Sequence, residues 1–244
     1  MWQKESGIIL SSVRHNDKSC VVRIFTEGHG CVSYIFFLSQ SGKGTARNTL
    51  LQPLTQIEFQ GQNVPTANLQ HMREAKNAYP YADIPFNPVK STIALFLGEF
   101  LSYALAGESE NRLLYRFVSA SLEWLDSAGS VSNFHISFML QVASYLGICP
   151  NADEYQPGFW LDLAGGSFTA AMPNHSNAVS PEVAYKLYLV MQQDYQGAET
   201  VPLTRTERSS LLAALSDWYR LHVPGFPTLK SLEVLQAIFD WTEP

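Results

Sequence analysis

A glycine-rich basic segment, residues 41–47, is the part of this chain whose spacing comes nearest to a chemical motif. It reads Ser-Gly-Lys-Gly-Thr-Ala-Arg, so Lys43 and Arg47 share one short stretch with two glycines. The phosphate loop of a nucleotide hydrolase needs serine or threonine directly after the lysine and a helix that begins there. Gly44 follows Lys43 instead, which argues against nucleotide hydrolysis. A cationic loop that contacts a nucleic-acid backbone and an ordinary solvated connection both remain open.

Three further cations lie close together at residues 14–23. Arg14 and Lys18 flank the turn residues His15-Asn16-Asp17, and Arg23 lies in the extended run that follows. Clustered positive side chains can neutralise phosphates, whereas isolated ones are usually only solvated. We predict Arg14, Lys18 and Arg23 as additional DNA-backbone contacts.

Aromatic residues alternate near these cations and could stack on bases. Tyr34 and Phe36 have the parity of Val32, so they are predicted in a core. Phe37 and Phe25 have the opposite parity to their apolar neighbours, so exposure of both rings is open. Arg23 shares the parity of Phe25, which makes it the best contact candidate of the three hairpin cations.

The sequence gives little support for metal binding or catalysis. The six histidines are scattered without metal-ligand spacing, and the three cysteines contain no C-x-x-C pair. Asp153, Glu154 and Asp162 are predicted as surface carboxylates, because no apolar enclosure is evident that would separate their pKa values. We therefore predict no catalytic residue, no metal site and no cofactor, and hence no enzyme.

Alternation with a period of two dominates residues 7–74 and predicts β-structure. Turn residues separate five short runs, which are predicted as strands over Gly7–Arg14, Ser19–Thr26, Cys31–Leu38, Thr55–Gln60 and Leu69–Glu74. Short antiparallel strands joined by tight turns cannot hide their edges as an open sheet, so we predict closure into a small OB-fold barrel.

Near Pro80 the apolar period changes from two to about 3.6, which is typical of amphipathic helices. The predicted architecture is thus α+β and multidomain, with an OB-fold nucleic-acid-binding domain at residues 1–80 and a mostly helical domain at residues 81–244. Helices are predicted over residues 88–106, 110–127, 133–146, 181–195, 207–223 and 229–241. An irregular insertion at about residues 149–179 contains a possible hairpin around Ala164-Gly165-Gly166.

Charge divides along the same boundary. Residues 1–80 hold eight Lys/Arg and five Asp/Glu, a net +3, and residues 81–244 hold eight and seventeen, a net −9, which sum to −6. The acidic total therefore conceals a basic amino-terminal part. The sequence contains neither a signal-peptide core nor an apolar run that could span a bilayer, so a cytoplasmic location without membrane partners is expected.

Several motifs occur in the order found in one bacterial family. They are Gly-Ile-Ile-Leu at 7–10, Ile-Phe-Thr-Glu-Gly-His-Gly at 24–30, Gly-Lys-Gly-x-x-Arg at 42–47, Leu-Gln-Pro-Leu at 51–54, the segment 138–150 that ends Tyr-Leu-Gly-Ile-Cys-Pro, and Pro-Gly-Phe-Pro-Thr-Leu-Lys-Ser-Leu-Glu-Val-Leu at 224–235. Because these segments extend over nearly the whole chain, the sequence resembles the RecO family of recombination mediators.

That resemblance implies a non-catalytic protein that binds single- and double-stranded DNA, promotes strand annealing, and acts with RecR and the acidic tail of single-strand-binding protein. Lys43 and Arg47 lie where the family has its basic loop, so the resemblance implies a DNA-backbone role for both. The resemblance also implies a comparison with the four-cysteine zinc module that many members carry in the segment equivalent to 150–180, where this chain offers only His175 and, at the edge of the segment, Cys149. We predict no zinc here and apolar packing of residues 159–163 instead. An alternative function is a protein-interaction adaptor whose helical domain docks a partner peptide.

Overall fold

The fold was analysed in a computed structural model that describes residues 1–37, 50–64 and 67–242. Its internal contacts divide the chain into two compact units, Met1–Ser127 and Ala128–Pro244. In the part of the chain that the structure describes, the first unit contains the β-barrel and the two helices that follow it, and the second contains a small sheet and the remaining helices.

Five strands close into the barrel that the alternation predicts. They are β1 (Gln3–Asn16), β2 (Ser19–Thr26), β3 (Gly30–Phe37), β4 (Gln56–Gln62) and β5 (Gln70–Asn77). Their order around the barrel is β1-β2-β3-β5-β4, and β4 also pairs with β1. All pairs are antiparallel except β3 with β5. Closure leaves no free edge of the sheet, and this order is the OB-fold arrangement.

The barrel interior contains the side chains that share the inward parity. Tyr34 and Phe36 lie in this core as predicted, and the Tyr34 ring meets the Phe59 ring edge-on at 5.1 Å between centroids. Gly30 has φ of +67°, so the turn from β2 to β3 uses the left-handed conformation that glycine tolerates.

Two helices, α1 (Pro88–Ala104) and α2 (Arg112–Ser127), complete the first unit. Phe25 lies on the outward face of β2, yet it is fully buried, and its ring is 5.7 Å from that of Tyr115 in α2. The open question of Phe25 is thus resolved as burial, because a helix covers this part of the barrel. Ile8 and Leu10 are buried as well as Ile9, so both faces of β1 are covered.

The second unit holds helix α3 (Phe134–Tyr145), a three-stranded sheet, and four helices after the sheet. The strands are β6 (Trp160–Asp162), β7 (Ser167–Thr169) and β8 (Ala178–Val179) in the order β7-β6-β8, which confirms the predicted hairpin and adds a strand. The helices that follow are α4 (Pro181–Met191), α5 (Tyr195–Thr200), α6 (Arg205–His222) and α7 (Ser231–Thr242).

Helix α5 was not predicted, because its six residues are too few to display a helical period. Asp194 begins it by accepting a hydrogen bond from the Gly197 N–H. A capping box begins α6, with Thr204 and Glu207 each accepting a backbone N–H of the other. Across the residues that the structure describes, no helix has the length and apolarity needed to cross a bilayer.

Candidate nucleic-acid interface

The two cations of the glycine-rich segment, Lys43 and Arg47, lie outside the described residues. Their role as DNA-backbone contacts stays a prediction. The other three predicted cations, Arg14, Lys18 and Arg23, lie within the described residues, and all belong to the first hairpin of the barrel.

Arg14 and Lys18 lie at the exposed end of this hairpin. The Asn16 side chain forms the turn by accepting a 2.8 Å hydrogen bond from the Lys18 backbone N–H. The Arg14 guanidinium is 3.8 Å from the Asp17 carboxylate, and both side chains are exposed. An exposed pair at this distance contributes little free energy, so a phosphate could replace Asp17 as the partner of Arg14 at small cost.

Arg23 has a more constrained position on the outward face of β2. Its Nε–H donates to Cys31 Sγ at 3.2 Å, and Nη2 donates to the Ala106 carbonyl at 3.4 Å. Burial raises the pKa of Cys31, although the Arg23 hydrogen bond and charge oppose this rise, so Cys31 stays a thiol at neutral pH. Only the remaining N–H groups of Arg23 are left for a phosphate.

The outward face of the barrel carries a continuous row of side chains across four strands. The register pairs Val13 with Val21, Val21 with Ile35, and Ile35 with His71. Val13 and His71 are exposed, and Val21 and Ile35 are partly exposed. This row is thus an accessible, largely apolar band on the face opposite the barrel core.

At the β5 end of this row lie four residues that we call the aromatic ledge, namely Trp2, Phe37, His71 and Arg73. Phe37 is 57% exposed, as its parity allowed, and its ring is nearly parallel to that of His71, with 11° between planes and 6.4 Å between centroids. The Arg73 guanidinium carbon lies 4.3 Å from the centre of the Trp2 ring. All four side chains line one open depression of about 440 Å³.

A β-bulge and one glutamine position Arg73. The register between β4 and β5 shifts between Glu58 and Gln60, and Glu74 takes a left-handed conformation there with φ of +55°. Gln60 accepts from Arg73 Nε at 2.9 Å and donates to the Glu74 carboxylate. These contacts direct Arg73 towards Trp2 and leave its terminal guanidinium nitrogens accessible.

Within residues 1–37, 50–64 and 67–242, no group of three His, Cys, Asp or Glu side chains is arranged to hold a metal ion. In residues 150–180, the Asp162 carboxylate and the His175 ring approach to 3.3 Å, and Asp162 also accepts hydrogen bonds from the Ala164 and Gly165 N–H groups. Leu161 and Leu163 are buried, in line with the apolar packing predicted for residues 159–163.

The sequence analysis did not identify Trp2, His71 and Arg73 as site residues. His71 and Arg73 alternate with buried Met72, so the sequence alternation alone could have predicted that both side chains point outward. Their proximity to Phe37 could not be predicted from the sequence, because it depends on the parallel pairing of β3 with β5.

A closed five-stranded barrel in this strand order defines an OB-fold protein. Two family models match the chain, Recombination protein O N terminal over residues 1–81 and Recombination protein O C terminal over residues 85–233. The chain therefore belongs to the RecO family.

Curated relatives align with this chain over nearly its whole length. The chain is 40% identical to a protein of Bacteroides fragilis over 242 residues, which cover 98% of this chain and 100% of that protein. It is 39% identical to a protein of Phocaeicola vulgatus over 241 residues, with 98% and 100% coverage. It is 32% identical to a protein of Flavobacterium johnsoniae over 241 residues, again with 98% and 100% coverage. Each of these relatives is named DNA repair protein RecO.

Proposed function

We propose that this protein is a non-catalytic mediator of recombinational DNA repair that acts in the cytoplasm. It binds single- and double-stranded DNA, promotes annealing of complementary strands, and acts with RecR and the acidic tail of single-strand-binding protein. Family membership and the names of the relatives support the repair role. The observation that carries DNA binding is the accessible surface of the barrel, where Arg14 and Lys18 at the β1–β2 turn and Arg73 on the outward face accompany exposed aromatic rings.

Physically, such a site needs no bond-making step. Cations that neutralise phosphates release condensed counterions, which favours binding at low salt whatever the base sequence. Annealing then requires only that two strands stay close long enough for complementary bases to pair. Within this proposal, residues 1–80 form the nucleic-acid-binding part and residues 81–244 form the helical part.

A salt titration of DNA binding tests the proposal. For the full chain and a fluorescent single strand, we expect the logarithm of the association constant to fall linearly with the logarithm of salt concentration. Lys43→Glu with Arg47→Glu should make that slope shallower by on the order of one, because each phosphate contact that is lost removes about 0.7 from its magnitude. Arg14→Glu with Lys18→Glu should lower it similarly.

The matched control is Arg112→Glu with Arg220→Glu, which makes the same change in charge at exposed residues outside the barrel. This control should leave most of the slope intact. Absence of DNA binding at low salt would reject the proposal, and an unchanged slope in the first double variant would remove Lys43 and Arg47 from the site.

The mediator role has its own test. Complementary strands coated with single-strand-binding protein should anneal faster when the full chain is added, and the acceleration should depend on the acidic tail of the coating protein. Acceleration that is equal without that tail would remove the tail from the partners.

An adaptor function is the second candidate, and one observation favours it. Near the start of the helical part, an apolar depression of about 540 Å³ is lined by Pro53, Tyr81, Phe86 and Leu95, of which Phe86 is 81% exposed. Large exposed apolar side chains beside a groove are typical of protein contacts. If this function is the main one, Phe86→Ala should weaken binding to RecR while DNA binding is absent or has no role in repair.

A further inference from the structure

We propose that the aromatic ledge, Trp2, Phe37, His71 and Arg73, is a stacking platform for unpaired nucleobases and gives the barrel its preference for single strands. This inference rests on the proposed DNA-binding function and adds to it the part of the nucleic acid that the ledge contacts.

The rings of the ledge are placed for stacking. Phe37 is more than half exposed at 57%, although the neighbouring Tyr34 and Phe36 are buried in the barrel core. Its ring and that of His71 are nearly parallel, with 11° between their planes, so a base that stacks on either ring would have nearly the same orientation. A flat aromatic surface accepts any base, because every base has a π-face.

The second half of the ledge adds charge to this surface. Arg73 lies over the Trp2 ring at 4.3 Å, and Gln60 holds its Nε at 2.9 Å. The terminal guanidinium nitrogens of Arg73 remain for a phosphate, while the guanidinium plane and the indole remain for a base. Glu74, the nearest carboxylate of the depression, is hydrogen-bonded by Gln60.

These features select an unpaired strand as the occupant. Bases in a duplex are already stacked on both faces, so they cannot lie on a protein ring without the cost of unstacking. An unpaired base has no such cost. The row Val13, Val21, Ile35 and His71 leads from the cationic β1–β2 turn to the ledge, so one strand could contact both.

An oligothymidine and an abasic oligonucleotide of equal length and charge separate stacking from phosphate contacts. By fluorescence anisotropy at low salt, the full chain should bind the oligothymidine more tightly, by about 5- to 150-fold for each base that stacks. Phe37→Ala with His71→Ala should reduce this preference towards unity and leave binding of the abasic strand unchanged.

Two control variants identify the ring as the cause. Phe37→Trp with His71→Phe keeps two aromatic planes and should keep the preference for bases. Tyr145→Ala removes a ring that is 44% exposed and lies outside the ledge, and it should have no effect. Circular dichroism and thermal unfolding of each variant verify that the barrel remains folded.

The outcomes distinguish this inference from the function on which it rests. Equal binding of both oligonucleotides by the unmodified chain would overturn the stacking platform and leave DNA binding intact. A preference that survives in the triple variant Trp2→Ala, Phe37→Ala, His71→Ala, which removes every ring of the ledge, would also overturn it, because the bases would then stack elsewhere. Failure to bind either strand at low salt would reject both proposals.

Discussion

Lys90 is a charged residue whose side chain is only 2% exposed. Its ammonium group is 2.7 Å from the Asp83 carboxylate and donates to the Asp126 carbonyl, also at 2.7 Å. The Asp126 carboxylate in turn accepts the backbone N–H groups of Ala82, Asp83 and Ile84. These contacts fasten the segment between β5 and α1 to the two helices of the first unit.

Asp83→Ala is expected to destabilise the protein more than Lys90→Met does. The alanine variant leaves a buried ammonium without its carboxylate, at a cost of up to about 3 kcal/mol, whereas methionine removes the charge and fills the space for about 1 kcal/mol. Urea unfolding of both variants and of the double variant measures this. A larger decrease in unfolding free energy for Lys90→Met than for Asp83→Ala would contradict the role given to the Lys90–Asp83 ion pair.

His135 provides a pH-dependent test in the second unit. Its complete burial, and secondarily the charge of Arg208, lowers the pKa of His135 from 6.5 to about 3. The unfolded chain therefore binds a proton that the folded chain excludes between these values, so this residue reduces stability as the pH falls below about 6.5. The unfolding free energy then decreases by up to about 1.4 kcal/mol for each pH unit.

His135→Leu should flatten the dependence of unfolding free energy on pH over this window, when compared with the same substitution at the exposed His15. Urea unfolding between about pH 4 and 7 gives both slopes. If the two variants keep the same slope as the unmodified chain, His135 is not the group responsible.

At the scale of elements, Gly98 sets how closely α1 approaches the barrel. A Cβ atom at this position would lie 2.9 Å from Pro53 Cβ and 3.5 Å from the Leu10 carbonyl oxygen. Gly98→Ala should therefore cost about 1 to 3 kcal/mol of stability, although alanine alone would favour a helix by about 1 kcal/mol.

The control is Gly129→Ala, where a Cβ would meet no atom within 4 Å. Thermal unfolding compares the two substitutions. A Gly98→Ala variant that is as stable as the control would show that α1 can move away from β1 without loss.

The strands and their turns could be predicted from the sequence because both depend on neighbouring residues. The turn at Gly30 and the inward parity of Tyr34 followed from local pattern alone. Burial of Phe25 did not, because alternation shows which residues share a face and does not show that Tyr115 covers it. The aromatic ledge could not be predicted either, because Trp2, Phe37 and β5 come together only through non-local strand pairing.

At the scale of the whole molecule, the compact units and the change in sequence pattern fall at different places. The apolar period changes near Pro80, whereas the first compact unit extends to Ser127. The physical reason is that α1 and α2 cover Ile8, Leu10 and Phe25, which would otherwise be exposed on the outside of the barrel.

We accordingly expect a fragment of residues 1–127 to fold cooperatively and a fragment of residues 1–80 to aggregate or remain partly unfolded. Thermal circular dichroism and the dispersion of backbone amide NMR signals measure this for both fragments. A stable, well-dispersed 1–80 fragment would show that the barrel does not need the helices.

The central claim is that the outward face of the barrel binds single-stranded DNA. Photocrosslinking of an oligonucleotide that carries 5-iodouracil, followed by mass spectrometry of the linked peptides, tests it most directly in the full chain. We predict crosslinks at Trp2, Phe37 or His71, because this chemistry reports rings that lie against bases. Crosslinks confined to residues 128–242 would contradict the claim.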